Sequence, residues 1–394
     1  MPCLAPRAPI ATEAFEIGRS AHGSGLSRLP AFDTFLVMNT AKIQQVLAAA
    51  GINKPYRLKQ AVRAAYRDLV PSWEAAAELP PELRTLLDRE APIMSLTLER
   101  EAVSADGRTV KAALRTTDGK TIETVLMAHE DGRRTVCVSS QAGCAMRCAF
   151  CATGAGGFSR NLTAEEISDQ VLHFARRHVV RERRDAASAV DKKTVTNVVV
   201  MGMGEPMNNY DAVLAAIREL NRADGLGIGI RHFTVSTCGV VPGIERFATE
   251  PEPLNLAVSL HAPNQALRER IMPVAAAYPL DQLLAACRAY VEQTGRKIFF
   301  EYLLLDGVND GDEQADELAR IMDHELYHVN LIKYHATGAF RASPPERCRA
   351  FQRRLWDQHR VPVTFRVDFG EDISAACGQL AGQKPKDQPR GAAV

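Results

Sequence analysis

Short apolar runs alternate with amphipathic segments through the C-terminal two thirds of the chain. From residue 135 onward, six apolar runs follow one another with stretches of helical spacing among them, and a seventh run ends the series. Apolar strands that alternate with helices are typical of a parallel sheet covered by helices. The pattern predicts strands at 135–139, 197–201, 232–236, 254–260, 297–305, 329–334 and 363–367.

The number of strands decides which architecture such a sheet can form. A complete eight-stranded barrel typically needs about 250 residues with all eight βα units. Only six strands in βα order precede the final strand of this chain. We therefore predict an α/β fold with a partial (β/α)6 barrel, and an open doubly wound sheet is the alternative.

The N-terminal third has a different pattern. Apolar residues between 39 and 89 recur at helical spacing and predict a small helical accessory domain. Between 94 and 140, three Asp-Gly pairs separate short apolar runs, which predicts a short antiparallel β meander. The expected boundaries are a leader at 1–30, the helical domain at 31–93, the meander at 94–134, the barrel at 135–383 and a polar tail at 384–394.

Composition and charge restrict the class of protein but say little about its function. The chain has 394 residues, of which 46% are hydrophobic, so it can build a sizeable core. No apolar run approaches the roughly 18 residues that span a bilayer, and the first residues lack the pattern of a secretory signal. Nine unevenly spaced cysteines argue against a secreted disulfide framework. We expect a cytoplasmic protein that uses no membrane, and the net charge of +1 leaves a nucleic-acid partner open.

Three cysteines form a C-x3-C-x2-C motif at Cys144, Cys148 and Cys151, just after the first predicted barrel strand. A structural zinc ion wants four protein ligands, and no fourth cysteine or histidine lies nearby in the sequence. A 4Fe–4S cluster held by only three thiolates would keep one iron open for a substrate or cofactor. The alternatives are three buried cysteines that act as small apolar groups, or a zinc site completed from afar.

Polar residues follow four of the predicted strands. Active sites of βα barrels are built at the carboxyl ends of the strands, so these residues could contact one ligand. Glu205, the acidic residue of the set, follows two glycines and would suit a cation such as an ammonium group. The alternative, without any binding function, is that each residue faces water at the end of its strand. The set comprises Gly204, Glu205, Ser236, Ser259, Leu260, His261 and His335.

Two further cysteines and one glutamate stand outside these groups. Cys137 lies in the first barrel strand, and Cys377 lies in a loop of small residues with Gly378 close behind it. A nucleophilic cysteine needs access and room to move, although most free cysteines are simply buried apolar groups. Glu123 precedes the first barrel strand without special spacing.

Taken together and in order, these motifs resemble those of the radical S-adenosylmethionine (SAM) RNA methyltransferases of the RlmN/Cfr family. The resemblance covers about residues 95–383, and the motif around Cys377 is its most specific part. Besides the three cysteines, the matching segments are Gly157-Phe158-Ser159-Arg160-Asn161-Leu162-Thr163, Met201-Gly202-Met203-Gly204-Glu205-Pro206, Ser236-Thr237, Ser259-Leu260-His261-Ala262-Pro263-Asn264 and Ala375-Ala376-Cys377-Gly378-Gln379-Leu380-Ala381-Gly382.

The resemblance implies a partial radical-SAM barrel and a specific chemistry. Cys144, Cys148 and Cys151 would hold one 4Fe–4S cluster, and the strand-end residues would line the SAM site. Cys377 would carry the methyl group, Cys137 would release the product by attacking the sulfur of Cys377, and Glu123 would be the general base.

The activity implied in this way is methylation of an adenine carbon, carbon 2, in ribosomal and/or transfer RNA. It would need an electron donor such as flavodoxin or ferredoxin. The alternatives are a radical-SAM enzyme with another RNA site or a non-RNA substrate, and an iron–sulfur RNA-binding protein without turnover. Two positions depart from the family pattern: Lys333-Tyr334-His335 stands where better-known members have Pro-x-Asn, and Cys238 stands where serine is usual.

Overall fold

The computed structural model describes residues 38–184, 194–338 and 340–381, and these described residues all belong to one unit. The expected leader at 1–30 and polar tail at 384–394 lie outside the described residues. No helix in the described ranges has the length and apolar character needed to cross a membrane.

A ten-stranded sheet organises the described part of the chain, beside a two-stranded ribbon formed by β5 and β6. Its order is β1-β2-β3-β4-β7-β8-β9-β10-β11-β12. The strands are β1 Thr97–Val103, β2 Thr109–Arg115, β3 Thr121–Ala128, β4 Arg134–Cys137, β5 Gln141–Gly143, β6 Phe158–Asn161, β7 Asn197–Val200, β8 Phe233–Thr237, β9 Asn255–Ser259, β10 Ile298–Leu304, β11 Tyr327–Lys333 and β12 Val363–Phe365.

The order of the parallel strands confirms the partial barrel and excludes the doubly wound alternative. From β4 to β12, every neighbouring pair in the large sheet is parallel, and the strands follow one another in chain order. A doubly wound sheet reverses its order at a switch point, whereas consecutive right-handed crossovers place all helices on one face. The other face is left to line a cavity.

The meander extends this sheet at one edge. Its turns are Asp-Gly pairs, and Gly107, Gly119 and Gly132 have φ of +69°, +80° and +86°, a backbone region that glycine adopts without strain. β1, β2, β3 and β4 pair antiparallel in sequence, so β4 belongs to both the meander and the barrel. Side chains of the meander can therefore contact the barrel site.

Helices cover the outer face of the barrel and fill the N-terminal segment. α5 begins with a capping box, in which Glu166 N–H donates to Thr163 Oγ1 (3.1 Å) and Thr163 N–H donates to Glu166 Oε2 (2.9 Å). α7 is short and starts Val-Pro-Gly. The helices are α1 Met38–Ala49, α2 Pro55–Val62, α3 Pro81–Glu90, α4 Ala152–Ala155, α5 Ala164–Arg184, α6 Tyr210–Asn221, α7 Val241–Ala248, α8 Gln265–Ile271, α9 Leu280–Thr294, α10 Asp312–Ile321 and α11 Pro345–Arg353.

The N-terminal helices share their core with the barrel. Trp73 and Leu87 belong to the same hydrophobic cluster as the barrel strands. Polar contacts reinforce the junction, because Asp169 on α5 accepts from both the N–H and the hydroxyl of Ser95 (2.5 and 2.8 Å). Arg176, also on α5, donates to the carbonyl of Ala65 (2.8 Å).

Candidate active site

A cavity of about 560 Å³ runs along the inner face of the barrel. This volume lies within the usual range of small-molecule sites. β8 illustrates how the fold lines it: Phe233 and Val235 are buried under the helices, and Thr234 and Ser236 on the other face line the cavity. The cavity brings together most of the predicted site residues, namely Cys137, Cys144, Cys148, Cys151, Gly204, Glu205, Ser236, Ser259, His261, His335 and Cys377.

The cysteine loop, residues 144–151, connects the ribbon strand β5 to α4. Cys144 N–H donates to the carbonyl of Gly157 (2.8 Å), which closes the loop at its base. Gly143 has a φ of +83°, and a Cβ at this position would overlap the carbonyl of Gly157. Ala149 N–H donates to the carbonyl of Ile271 at the end of α8 (2.9 Å). Backbone hydrogen bonds therefore fix this loop before any metal is bound.

The three thiols of this loop fit a polynuclear centre better than a single ion. The thiolates of one tetrahedral zinc would lie about 3.8 Å apart, given Zn–S bonds of about 2.3 Å. Among the described residues, the one group of three or more His, Cys, Asp and Glu ligand atoms within 4.8 Å of one another does not include these cysteines. Such wider spacing is expected where each thiolate binds a different iron.

Burial keeps two of these thiols neutral in the metal-free protein. It raises the pKa of Cys144 to about 11 and also raises the pKa of Cys148, which negative charge on Cys151 would raise further. Metal ions bind the deprotonated form, so binding would release protons here. All three are free thiols.

Glu205 is buried where the turn after β7 meets the end of β8. Its Oε2 accepts from Cys238 N–H (2.8 Å), and its Oε1 accepts from Met207 N–H (3.0 Å). Burial raises the pKa of Glu205, while these N–H groups oppose the shift. Gly204 has a φ of +106°, and a Cβ there would come within 2.6 Å of the Gln141 side chain. The glycine thus permits the close packing that holds the carboxylate at the cavity wall.

His261 presents a neutral imidazole to the cavity. Its Nδ1 accepts from Leu303 N–H (3.0 Å), so the other ring nitrogen carries the hydrogen. Burial, with a smaller contribution from the nearby Arg268 cation, lowers the pKa of His261 to about 3. Its ring contacts Phe150 of the cysteine loop edge to face, with centroids 4.8 Å apart. Leu260, in contrast, is completely buried, and the structure does not bring its side chain to the cavity because strand alternation turns it away from Ser259.

His335 connects the end of β11 to the segment after β12. Its Nε2 lies 3.1 Å from Asp368 Oδ1, and its Nδ1 lies 3.5 Å from Glu371 Oε1. Lys333 forms an ion pair with the same glutamate at 2.9 Å. The lysine and histidine that depart from the family pattern therefore hold two acidic residues of the segment that leads to Cys377.

Cys137 and Cys377 meet at the cavity from opposite ends of the barrel sequence. Cys137 ends β4 and is buried, whereas Cys377 is exposed. Burial raises the pKa of Cys137 to about 12, with a second contribution from negative charge on Cys377. The two sulfurs are therefore within electrostatic reach of each other.

Glu123 lies behind the Cys377 loop, residues 374–381, and does not line the cavity. Alternation along β3 points it to the same side as Val125, which does line the cavity. Its Oε2 accepts from Ala381 N–H (2.8 Å), and its Oε1 lies 3.4 Å from Lys111 Nζ. The carboxylate is thus covered by the loop that carries Cys377.

The sequence analysis did not predict a charged pair, Glu301 and Arg366, in the wall of the cavity. Arg366 follows β12 and donates to Glu301 Oε2 (3.2 Å), and Asn330 donates to Glu301 Oε1 (3.0 Å). Glu301 and Arg366 both line the cavity. A single glutamate inside the apolar strand β10 was the signal that could have identified this group, because buried charges are rare unless they are paired.

Comparisons with known proteins agree with this geometry. Residues 138–319 match the model of the radical SAM superfamily. The chain is 44% identical to the probable dual-specificity RNA methyltransferase RlmN of Moorella thermoacetica over 330 residues, which cover 83% of this chain and 91% of the relative. The corresponding protein of Frankia casuarinae is 46% identical, covering 86% of this chain and 81% of the relative. A crystal structure of a radical SAM methyltransferase from Sphaerobacter thermophilus superposes with a TM-score of 0.81 at 47% identity, covering 88% of this chain and 98% of that one.

Proposed function

Since this chain belongs to the RlmN family of radical SAM RNA methyltransferases, we propose that it methylates carbon 2 of an adenine in ribosomal and/or transfer RNA through a methylated cysteine. The observation that carries this proposal is the meeting of two sets of thiols in one cavity. Cys144, Cys148 and Cys151 form one set, and Cys137 and Cys377 form the other. The relatives' name, dual-specificity RNA methyltransferase, supports RNA as the substrate.

In this proposal the three cysteines of the cysteine loop hold one 4Fe–4S cluster. Glu205, Ser236, Ser259, His261 and His335 then line the SAM site beside it. When bound, the cluster and SAM would supply the methyl group and the radical chemistry that an unreactive aromatic carbon requires. The protein's own task is to hold the reacting groups and to exclude water. A low-potential donor such as flavodoxin or ferredoxin would provide electrons, and a reducing cytoplasm would be the matching location.

Cys377 is the proposed methyl carrier. It is exposed at the cavity, and the neighbouring Gly378 has a φ of +83°. The carbonyl of Gly378 accepts from Ala152 N–H (2.8 Å), which docks the loop against α4 directly after the cysteine loop. This contact would keep the carrier close to the cofactors while its sulfur stays accessible.

Cys137 is the proposed resolving residue. Its thiolate would attack the sulfur of Cys377, forming a disulfide and breaking the bond between that sulfur and the methylene carbon bound to adenine. The electron pair of the broken bond would stay on carbon, where protonation completes the methyl group. Arg366 supports this role, because its positive charge lowers the pKa that burial has raised at Cys137.

Glu123 is the proposed base for the proton on the adenine carbon. Since Ala381 N–H and Lys111 contact its carboxylate, the Cys377 loop would have to shift before Glu123 could reach the substrate. Binding of RNA is the event that we propose drives this shift.

Two alanine variants test the proposal, because they should fail in different ways. Cys377→Ala has no sulfur to methylate and should form no adduct with RNA. Cys137→Ala should add to adenine and then stall, because no second thiolate can attack the sulfur. A denaturing gel after expression, with mass spectrometry of the Cys377 peptide, should show a covalent protein–RNA species in the second variant only.

Assays of SAM cleavage, RNA methylation and RNA binding on the same proteins distinguish the alternatives. Full methylation by either variant would contradict the two-cysteine mechanism. Cleavage of SAM without any RNA product in the wild-type protein would indicate another substrate. Absence of both SAM cleavage and adduct, with RNA still bound, would indicate an iron–sulfur RNA-binding protein without turnover.

A further inference from the structure

Arg268, on α8, is a completely buried cation without a carboxylate partner among the described residues. Its Nη2 donates to the carbonyl of Cys238 (2.6 Å) and, at 3.4 Å, to that of Ser259. Its Nε and Nη1 atoms are buried and make no hydrogen bond. An uncompensated buried charge is strongly destabilising, so a negative group is expected close by.

The cysteine loop is the neighbour that could provide this negative charge. The last residue of α8, Ile271, accepts a hydrogen bond from Ala149 in the middle of that loop (2.9 Å). Cys238, whose carbonyl accepts from Arg268, lines the same cavity as Cys148. Arg268 is completely buried and is not among the residues that line the cavity, so it is not in a position to contact substrate.

We propose that Arg268 is the buried counter-cation of the iron–sulfur cluster and raises its reduction potential. This inference rests on the proposed function, because that function puts the cluster on the three cysteines. A cluster that takes one electron from a low-potential donor gains one negative charge. A fixed positive charge in a medium of low dielectric constant stabilises the reduced form more than the oxidised form.

Two substitutions separate the charge of Arg268 from its hydrogen bonds. Arg268→Gln removes the charge and can keep an N–H donor for the carbonyl of Cys238. Arg268→Lys keeps the charge and loses the planar guanidinium. The matched control is Arg270→Gln, because Arg270 is on the same helix and is exposed.

The measurement is a redox titration followed by electron paramagnetic resonance, on full-length protein reconstituted anaerobically with iron and sulfide, without SAM or RNA. Iron and sulfide content are determined for each variant. We expect a more negative midpoint potential in Arg268→Gln, and a potential close to that of the wild type in both Arg268→Lys and Arg270→Gln. Loss of iron from Arg268→Gln but not from Arg268→Lys would support the same role.

Other outcomes would overturn the inference. Equal potentials in Arg268→Gln and Arg268→Lys, or loss of iron from both, would show that Arg268 acts only through its hydrogen bonds to two carbonyl groups. Wild-type protein that binds zinc and no iron would overturn the proposed function together with this inference. The iron content of the wild type therefore tests the first claim, and the difference between the variants tests the second.

Discussion

The cysteine loop and the Cys377 loop line the same cavity, but they are held in different ways. The cysteine loop is anchored by main-chain hydrogen bonds, such as those from Cys144 to Gly157 and from Ala149 to Ile271. The Cys377 loop has one main-chain hydrogen bond to α4, from Ala152 N–H to the carbonyl of Gly378, and its other anchors are largely side chains of other elements. Lys111 Nζ donates to the carbonyl of Ser374 (2.9 Å), Glu123 accepts from Ala381 N–H, and Thr153 Oγ1 donates to the carbonyl of Leu380.

This difference matches what each loop is proposed to do. A cofactor site needs its ligands fixed before the cofactor binds. A methyl carrier has to present one sulfur first to the methyl donor and then to RNA, so it needs contacts that can be exchanged. We therefore expect damage to the cysteine loop to remove the cofactor, and damage to the anchors of the Cys377 loop to impair only the later steps.

The largest expected effect comes from Cys148→Ala in the cysteine loop. Two remaining thiolates should not retain the cluster, so iron content and RNA methylation should both fall to background. Cys348→Ala on α11 is the control, because Cys348 is buried outside the cavity. This control should keep iron and activity and lose about 1–2 kcal/mol of stability. Iron analysis and methylation assays measure both, and a Cys148→Ala protein with full iron content would contradict the assignment.

The second expected effect is the pH dependence of adduct resolution by Cys137. Burial raises the pKa of this thiol to about 12, so its thiolate fraction at pH 7 is small and rises about tenfold per pH unit. Resolution of the RNA adduct should therefore accelerate about 100-fold between pH 7 and pH 9. Single-turnover reactions, quenched and run on denaturing gels at each pH, measure the decay of the adduct. A rate independent of pH would show that another step controls its release.

How much of the site could be predicted depends on the distance along the chain between its parts. The spacing of Cys144, Cys148 and Cys151 is local, and it predicts a metal centre without knowledge of the fold. Eight strands lie between Cys137 and Cys377 in the chain, six of them in the large sheet. Their own sequence context therefore indicates no pairing, and only the family resemblance suggested it.

The sheet and its connections could be predicted well, because periodicity and turn residues act locally. The seven parallel strands, the three Asp-Gly turns and the capping box of α5 all follow from such signals. Long-range polar contacts could not be predicted in this way. Glu301, Arg366 and Arg268 each become meaningful only when the fold shows what lies beside them.

The third prediction concerns Lys111→Met, which removes an anchor of the Cys377 loop. The side chain of Lys111 is 13% exposed and bridges the carbonyl of Ser374 and the carboxylate of Glu123. We expect RNA methylation to slow by at least about tenfold, since one hydrogen bond to a charged group contributes about 1.5–3 kcal/mol and about 1.4 kcal/mol corresponds to a tenfold change in rate. Cleavage of SAM in the absence of RNA should not change. Lys120→Met, at an exposed turn, is the control, and equal slowing of both reactions would contradict the separation between the two loops.

The last expected effect concerns stability, has the smallest consequence for activity and leaves both loops intact. Asp169 is fully buried on α5, at the junction with the N-terminal helices, and burial raises its pKa to about 7. An aspartate in an unfolded chain has a pKa of about 3.9. Between these values the folded protein binds more protons than the unfolded chain, so the free energy of unfolding should fall as pH rises from about 4 to about 7. The slope can reach about 1.4 kcal/mol per pH unit. Asp169→Asn should remove the contribution of Asp169 and so reduce this slope, whereas Asp88→Asn at an exposed position should leave it unchanged, as measured by chemical denaturation at several pH values. RNA methylation by Asp169→Asn should match the wild type near neutral pH, because Asp169 lies in neither loop. Parallel stability profiles for wild type and Asp169→Asn would show that this aspartate is already ionised in the folded protein.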